Sequence, residues 1–296
     1  MLSVLIPVYN YDIRPLVNTL HEQLTSAQIS FEIICIDDCS KADISSINSE
    51  IQQLAHTSYH VSSSNKGRVA TRHALAVQAS FDWLLFLDAD VLPTSDTFVS
   101  NYLTYLTSDY DAVYGSFAYK KEAPQPDFVL RWTYGQSKEQ VKADIRNKKP
   151  YKITISANFL IRTSVFKHIN SKITYKGYGY DNYFGSLLKT EKSKICHIDN
   201  EVFHLGLESN TSYLNKVEQS VDTLLKLDNQ GLINTTENSL IVVFRTLKQW
   251  RLNSLFSWLF KKFKSRLTSN LLSQKPSMLM LQLYKLSYIC YQDLNS

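Results

Sequence analysis

Short, near-continuous apolar runs alternate along the chain with stretches in which apolar residues recur every three or four positions. Residues 2–8 (LSVLIPV) are the first run. A run without polar alternation predicts a strand covered on both faces. Leu16, Leu20 and Leu24 then share one helical stripe. Residues 31–36 (FEIICI) predict a second buried strand. Ser40 stands where a cap would open a helix through Ile44, Ile47, Ile51 and Leu54. A short strand near 59–62 precedes a helix with Ala70, Ala74 and Ala76, and residues 83–87 (WLLFL) predict a fourth buried strand. Strands alternating with helices in this order predict a mostly parallel sheet with helices on both faces.

Beyond Pro93 the pattern predicts a helix (Phe98, Tyr102, Leu106) and strands near 112–119, 152–162 and 195–198. Helices are expected over 183–188 and 213–227. The charged and polar stretch 136–150 predicts a mobile excursion. No run approaches 18 consecutive apolar residues, so no membrane span is expected. The N-terminus is apolar at once, with no basic region before it, and predicts a strand rather than a leader. Cytoplasmic residence is the expectation.

Composition adds bounds. With 296 residues, 44% hydrophobic and 20% charged, the chain suits a globular protein and argues against disorder. The four cysteines form no CxxC pair, so neither a disulfide scaffold nor a structural zinc site is expected.

Charge divides the chain. No acid occurs from 239 to 292, whereas nine cations do (Arg245, Lys248, Arg251, Lys261, Lys262, Lys264, Arg266, Lys275, Lys285). With Asp293 as the one acid, residues 239–296 carry +8 of the net +5, and the rest carries −3. Two domains are expected: a catalytic body over 1–236 and a basic, amphipathic helical extension over 237–296. In the extension Phe244, Trp250, Trp258 and Phe263 stand among the cations. Basic helices with aromatics on the apolar side suit an anionic membrane surface, here through 239–292. Ordinary packing on the body with solvated cations is the plainer reading. No nucleic-acid motif is present, so no nucleic-acid partner is expected.

Candidate chemistry gathers at strand ends. Two early strands close on paired acids, Asp37-Asp38 and Asp88-Ala89-Asp90. In open α/β sheets ligands bind beyond the carboxyl ends of strands. Two carboxylates one residue apart can serve a hard divalent ion; a solvated turn is the bland alternative. Asp37-Asp38 can be a helix-terminal pair or contacts to a base or ribose.

Taken together, LSVLIPVYN, IICIDDCS, NKGRVATRHALA and WLLFLDADV resemble, in that order, the family 2 glycosyltransferases of GT-A fold. SANFLIRTSVF, GYGYDNYFGSLL and HIDNEVFHLGLE extend the resemblance to about residue 230. It implies a Rossmann-like GT-A sheet and transfer of a sugar, a hexose or N-acetylhexosamine, from a nucleotide donor, most often UDP-linked. It implies Mn2+ or Mg2+ on the diphosphate, and a glycan or lipid-linked glycan of the bacterial surface as acceptor. By position it implies that Pro7, Tyr9 and Asn10 line the nucleotide pocket. Asp38, with Asp37, would contact uracil or ribose. Lys66, Gly67 and Arg72 would lie near the base, and Asp88 would face the ribose or an ordered water. Asp90 would bind the metal, with His204 as a further ligand.

An attacking hydroxyl needs a base, and Asp181, in the Gly-rich stretch 177–182 that opens a helix, is the candidate. One departure from the resemblance stands out: many relatives carry Glu-Asp where this chain has Asp181-Asn182. Asp181 as a helix cap and His204 as a satisfied histidine are the bland readings. Arg162 suits either a phosphate or a structural contact. Trp132 and Tyr134 suit either sugar stacking or packing. A GT-A module that binds without turnover, motivated by Asn182, and a nucleotidyltransferase are the alternative functions.

Overall fold

A computed structural model describes residues 1–174 and 177–295. The elements run β1 (Leu2–Val8), α1 (Arg14–Ser26), β2 (Phe31–Asp37), α2 (Ala42–Asn48), β3 (Thr57–Val61), α3 (Arg68–Gln78), β4 (Trp83–Leu87), β5 (Val91–Pro93) and α4 (Phe98–Leu103). They continue as β6 (Ala112–Ala118), α5 (Val129–Tyr134), α6 (Ala143–Asn147), β7 (Asn158–Arg162), α7 (Thr163–Asn170), α8 (Asp181–Thr190) and β8 (Ile195–His204). The chain then forms only helices: α9 (Asn210–Asn229), α10 (Ser239–Gln249), α11 (Asn253–Leu271) and α12 (Met278–Asn295). Two compact units result. The first comprises Met1–Ala118, Val141–Lys176 and Glu191–Gly206, the second Tyr119–Gln140, Gly177–Thr190 and Leu207–Ser296.

The first unit holds a sheet of order β3-β2-β1-β4-β7-β6-β8-β5. Strands β1 to β4 pair in parallel, as the alternation predicts. β7 runs antiparallel between β4 and β6, and β5 antiparallel beside β8. Leu2, Val4, Leu5 and Ile6 are fully buried, which is why this run is apolar but for Ser3, whose hydroxyl donates to Glu32 at 2.7 Å. Burial of such side chains contributes about 1.5–3 kcal/mol each. Phe86 stacks on Phe159 and packs on Phe166, so β4, β7 and α7 share one core.

Several expectations change. Ser40 does not cap α2; its Oγ accepts the Asn10 N–H instead, and the helix ends at Asn48 in a 3-10 turn. The strand expected over 152–162 is confined to β7, and α7 follows it at once. The stretch 136–150 carries regular structure. It contains a π turn over Gly135–Glu139 and α6, whose Arg146 is buried. Arg146 donates to the carbonyls of Gly115 (2.7 Å), Ile198 (2.8 Å) and Val141 (2.9 Å) and to His197 Nδ1 (2.9 Å). A buried cation is tolerated there because its donors are spent on oxygens and a neutral ring.

In the second unit α9 is the scaffold. Ser209 caps it. The phenol of Tyr284 on α12 donates to Glu218, and that of Tyr288 to Asp222 at 3.2 Å. Phe260 on α11 meets both tyrosine rings at 5.4 Å. Arg245 on α10 holds Asp228 at 2.5 Å. The position expected to divide the domains, 236/237, lies in the connection between α9 and α10. No helix among the described residues is long and apolar enough to cross a membrane.

Candidate active site

β1, β2 and β4 are parallel and in register, so their carboxyl ends share one edge. Pro7 is the penultimate residue of β1, and Tyr9 beyond it is 55% exposed. Asn10 takes a left-handed φ of 51°, a conformation Asn tolerates better than most residues. Its side chain accepts the Lys41 N–H at 2.9 Å. The ends of β1 and β2 are thereby tied together.

The two acids of β2 serve the chain's own groups. Asp37 is 0% exposed; it accepts the Ser40 N–H, the Ser45 hydroxyl and the Tyr59 phenol. Burial, and then that carboxylate, push the Tyr59 phenol up. Asp38 accepts the N–H groups of Lys66 and Gly67, both at 2.7 Å. Gly67 opens α3 at φ 86°, where a side chain is strained. Asp38 therefore shapes the loop carrying Lys66, whose side chain is exposed.

Arg72 on α3 reaches the end of β4. Its Nη2 lies 2.5 Å from Asp88 Oδ1 and 3.1 Å from the Ser156 carbonyl. Among the described residues its Nε has no hydrogen-bond partner. Asp88 is thus paired with a cation, while Asp90 faces elsewhere.

Asp90 immediately precedes β5, and His204 ends β8. The two strands pair with Val91 opposite His204, placing His204 Nε2 3.3 Å from Asp90 Oδ2. The Leu205 N–H donates to the Asp90 carbonyl at 2.8 Å. A Cβ at Gly206 would stand 2.1 Å from Asp90 Oδ2, so only glycine admits the carboxylate. Burial, and then the carboxylates of Asp90 and Asp12, push the Tyr11 phenol up.

Sequence reasoning missed Gly206 and Tyr11. It also missed Asn158, fully buried at the start of β7 opposite Leu87. Asn158 accepts from the Tyr102 phenol at 2.7 Å and donates to the carbonyls of Ser116 (3.1 Å) and Asn200 (2.8 Å). It stitches the strand carrying Asp88 to the one carrying His204. A signal existed for Gly206, two residues beyond a candidate ligand; none existed for Asn158.

No group of three or more His, Cys, Asp and Glu side chains converges among the described residues. Asp90 and His204 nonetheless fit a divalent ion, offering one carboxylate and one imidazole in a cradle that Gly206 keeps clear. A pair of protein ligands suits an ion whose other positions are filled by substrate oxygens and water.

Asp181 lies in the second unit, half-buried in the first turn of α8. Gly179 before it has φ 94°, and a Cβ there would stand 2.8 Å from Ser220 Oγ and 3.0 Å from Ser220 Cα on α9. Lys216 lies over the Tyr178 ring at 5.5 Å. Asn182 donates to the Gly179 carbonyl at 3.3 Å and accepts from Asn238 at 2.8 Å. Arg162 and Trp132 take the plainer reading. Arg162 donates to the carbonyls of Ser108 and Tyr110 and lies over Trp83, and Trp132 Nε1 donates to the Lys120 carbonyl.

The chain is similar to known proteins at three levels. The model for Glycosyl transferase family 2 matches residues 3–169. An uncharacterized glycosyltransferase of Haemophilus influenzae is 34% identical over 94 residues, which is 30% of this chain and 29% of that protein. S. aureus TarS is 18% identical at a TM-score of 0.50, over 76% of this chain and 39% of that one. Its residues 1–349, also solved with UDP-GlcNAc, match over 99% of this chain and 91% of that one at a TM-score of 0.52 and 16% identity. The mannosyltransferase PcManGT of Pyrobaculum calidifontis, solved with GDP-Man and Mn2+, is 11% identical at a TM-score of 0.53, over 77% of this chain and 64% of that one. The chain thus spans less than a third of its curated relative, and the structural likenesses show the fold, GT-A. With more than half of its length matched by the family model, the chain belongs to glycosyl transferase family 2.

Proposed function

We propose that the protein is an inverting, metal-dependent glycosyltransferase that moves a sugar from a nucleotide donor, UDP-linked by preference, to a hydroxyl of a glycan or lipid-linked glycan. The observation that carries this reading is the Asp90–His204 pair held over Gly206 at the strand-end edge. A divalent ion bound there supplies Lewis-acid neutralisation of the diphosphate as it leaves. A mixed carboxylate–imidazole set suits Mn2+ better than Mg2+, which prefers oxygens.

The chain's own residues do the rest. Asp38 holds the Lys66–Gly67 loop, and Asn10 ties the ends of β1 and β2, so the nucleotide meets a shaped pocket including Pro7 and Tyr9. Arg72 neutralises Asp88 and keeps it fixed beside the donor ribose. Asp181 takes the proton from the acceptor hydroxyl, which attacks the anomeric carbon from the face opposite the leaving group. One base suffices for that displacement and the centre inverts; retention through a covalent intermediate would need a second, nucleophilic carboxylate. The neighbours solved with UDP-GlcNAc and with GDP-Man and Mn2+ support the donor class. The nine cations over 239–292, with no acid among them, support an anionic membrane surface as partner, and with it a lipid-linked acceptor.

The test is release of nucleoside diphosphate from a panel of UDP-, GDP- and dTDP-sugars with and without Mn2+. Metal-dependent release lost in Asp90→Ala and Asp181→Ala is expected. Donor binding with no turnover under any acceptor would instead make the protein a binding module.

A further inference from the structure

We propose that the groove between α11 and α12 binds one acyl chain of an anionic lipid, with Arg266 at its mouth on the headgroup phosphate. The proposal rests on the membrane reading above and narrows it from a charged surface to a site.

The groove encloses a cavity of about 220 Å3. Leu259, Phe263 and Leu267 of α11 form one wall, and Met280 and Leu283 of α12 the other; Arg266 and Ser287 are its polar residues. That volume falls below the roughly 300–1,000 Å3 that accepts a drug-sized ligand, and a narrow chain fits such a space better than a ring system.

α11 has two apolar faces. Phe260, Leu267 and Leu271 are buried, whereas Leu255 and Trp258, half a turn away, are each 50% exposed. Leu279 on α12, 79% exposed, extends the apolar rim. Lys262 lies over the rings of Trp258 (4.8 Å) and Phe263 (5.6 Å). Its stem covers apolar surface while its ammonium stays at the rim, where a headgroup would lie. A contiguous apolar patch with a polar rim marks an interaction site.

Charge selects the occupant. A second copy of the chain would pair across a two-fold axis and set Lys262 and Arg266 against their own equivalents. No acid from 239 to 292 offsets that repulsion. An anionic lipid supplies both what the groove lacks and what the rim lacks: a chain for the cavity and a phosphate for the guanidinium fork.

The test titrates the full chain with dodecyl phosphate below its micellar concentration by calorimetry. Vesicle flotation runs in parallel, with phosphatidylcholine alone and with added phosphatidylglycerol. One amphiphile per chain is expected. Arg266→Glu, a change at an exposed position, and Leu283→Trp, which fills the groove, should each weaken binding at least tenfold at unchanged helicity. Inorganic phosphate should not compete. Equal binding by wild type and both variants overturns the site, as does full competition by inorganic phosphate. Flotation with anionic vesicles but no one-to-one binding overturns the groove and leaves the membrane reading standing. No flotation overturns both.

Discussion

Asp90 and His204 meet at 3.3 Å because β5, only three residues long, pairs with the last three residues of β8. Gly206 lies so close that a Cβ would stand 2.1 Å from the carboxylate. Gly206→Ala is therefore expected to displace Asp90 without uncovering any core. Mn2+-dependent turnover should fall at least tenfold while Tm moves by no more than about 4 °C, the scale of ~1 kcal/mol in a domain of this size. Mn2+ titration of donor binding checks it. Unchanged metal dependence in Gly206→Ala would separate the pair from the reaction.

Asp88 depends on Arg72. The guanidinium is almost wholly buried, the carboxylate a quarter exposed, and they meet at 2.5 Å. Truncating one partner of a fully buried pair costs about 3–5 kcal/mol; the exposure of Asp88 reduces that to about 2 kcal/mol for Arg72→Met. Urea denaturation is the measurement. Arg72→Met with Asp88→Asn should cost less than the sum of the two single changes, because the pair acts as a unit. Additive losses would show two independent side chains.

The strand-end acids were legible in the sequence because each follows a near-continuous apolar run, and a parallel sheet brings such ends to one edge. What each acid does there was not legible. Asp37 and Asp38 are adjacent, yet one is enclosed by Ser40, Ser45 and Tyr59 and the other cradles two backbone N–H groups. Their partners come from positions up to 29 residues away, and no local pattern encodes that. Arg146 was hidden for the same reason. It lies in a charged stretch with no apolar rhythm, and what buries it is a set of carbonyls on β6 and β8. Asn158 gave no signal, since a buried amide in a strand looks like any polar interruption until Tyr102, Ser116 and Asn200 surround it.

His197 makes the fold acid-sensitive. Burial pushes its pKa down to about 4 from 6.5, against the hydrogen bond to the Pro150 carbonyl, and Arg146 lowers it further. The neutral ring uses both nitrogens, Nε2 at 2.8 Å from Pro150 O and Nδ1 at 2.9 Å from Arg146. Between those two values the unfolded chain binds a proton that the folded one does not. Stability is therefore full above about pH 6.5 and falls as the pH drops towards 4, by up to about 3 kcal/mol for this group. Denaturation midpoints at pH 7 and pH 4.5 should lie closer together in His197→Gln than in the wild type. An identical gap would assign the acid sensitivity to other groups.

Asn182 follows the candidate base directly, and its surroundings account for the amide. It donates to the Gly179 carbonyl and accepts from Asn238, and Asn238 in turn caps α10 through Leu240 and Ile241. A carboxylate can accept from Asn238 but cannot donate to Gly179, so Asn182→Asp sets two oxygens against each other at the turn that presents Asp181. The expected cost is about 1 kcal/mol of stability, with turnover lowered rather than restored. Asp181→Asn keeps the shape of the loop and removes the base, so turnover should fall by about 10²–10⁴-fold while donor affinity is retained. The two variants separate the roles when diphosphate release and donor binding are measured together. Near-complete loss of turnover in Asp181→Asn with a smaller loss in Asn182→Asp makes Asp181 the base and Asn182 its support. A gain of activity in Asn182→Asp would place the base at position 182, and the chain would then be a weakened form of the family's enzyme.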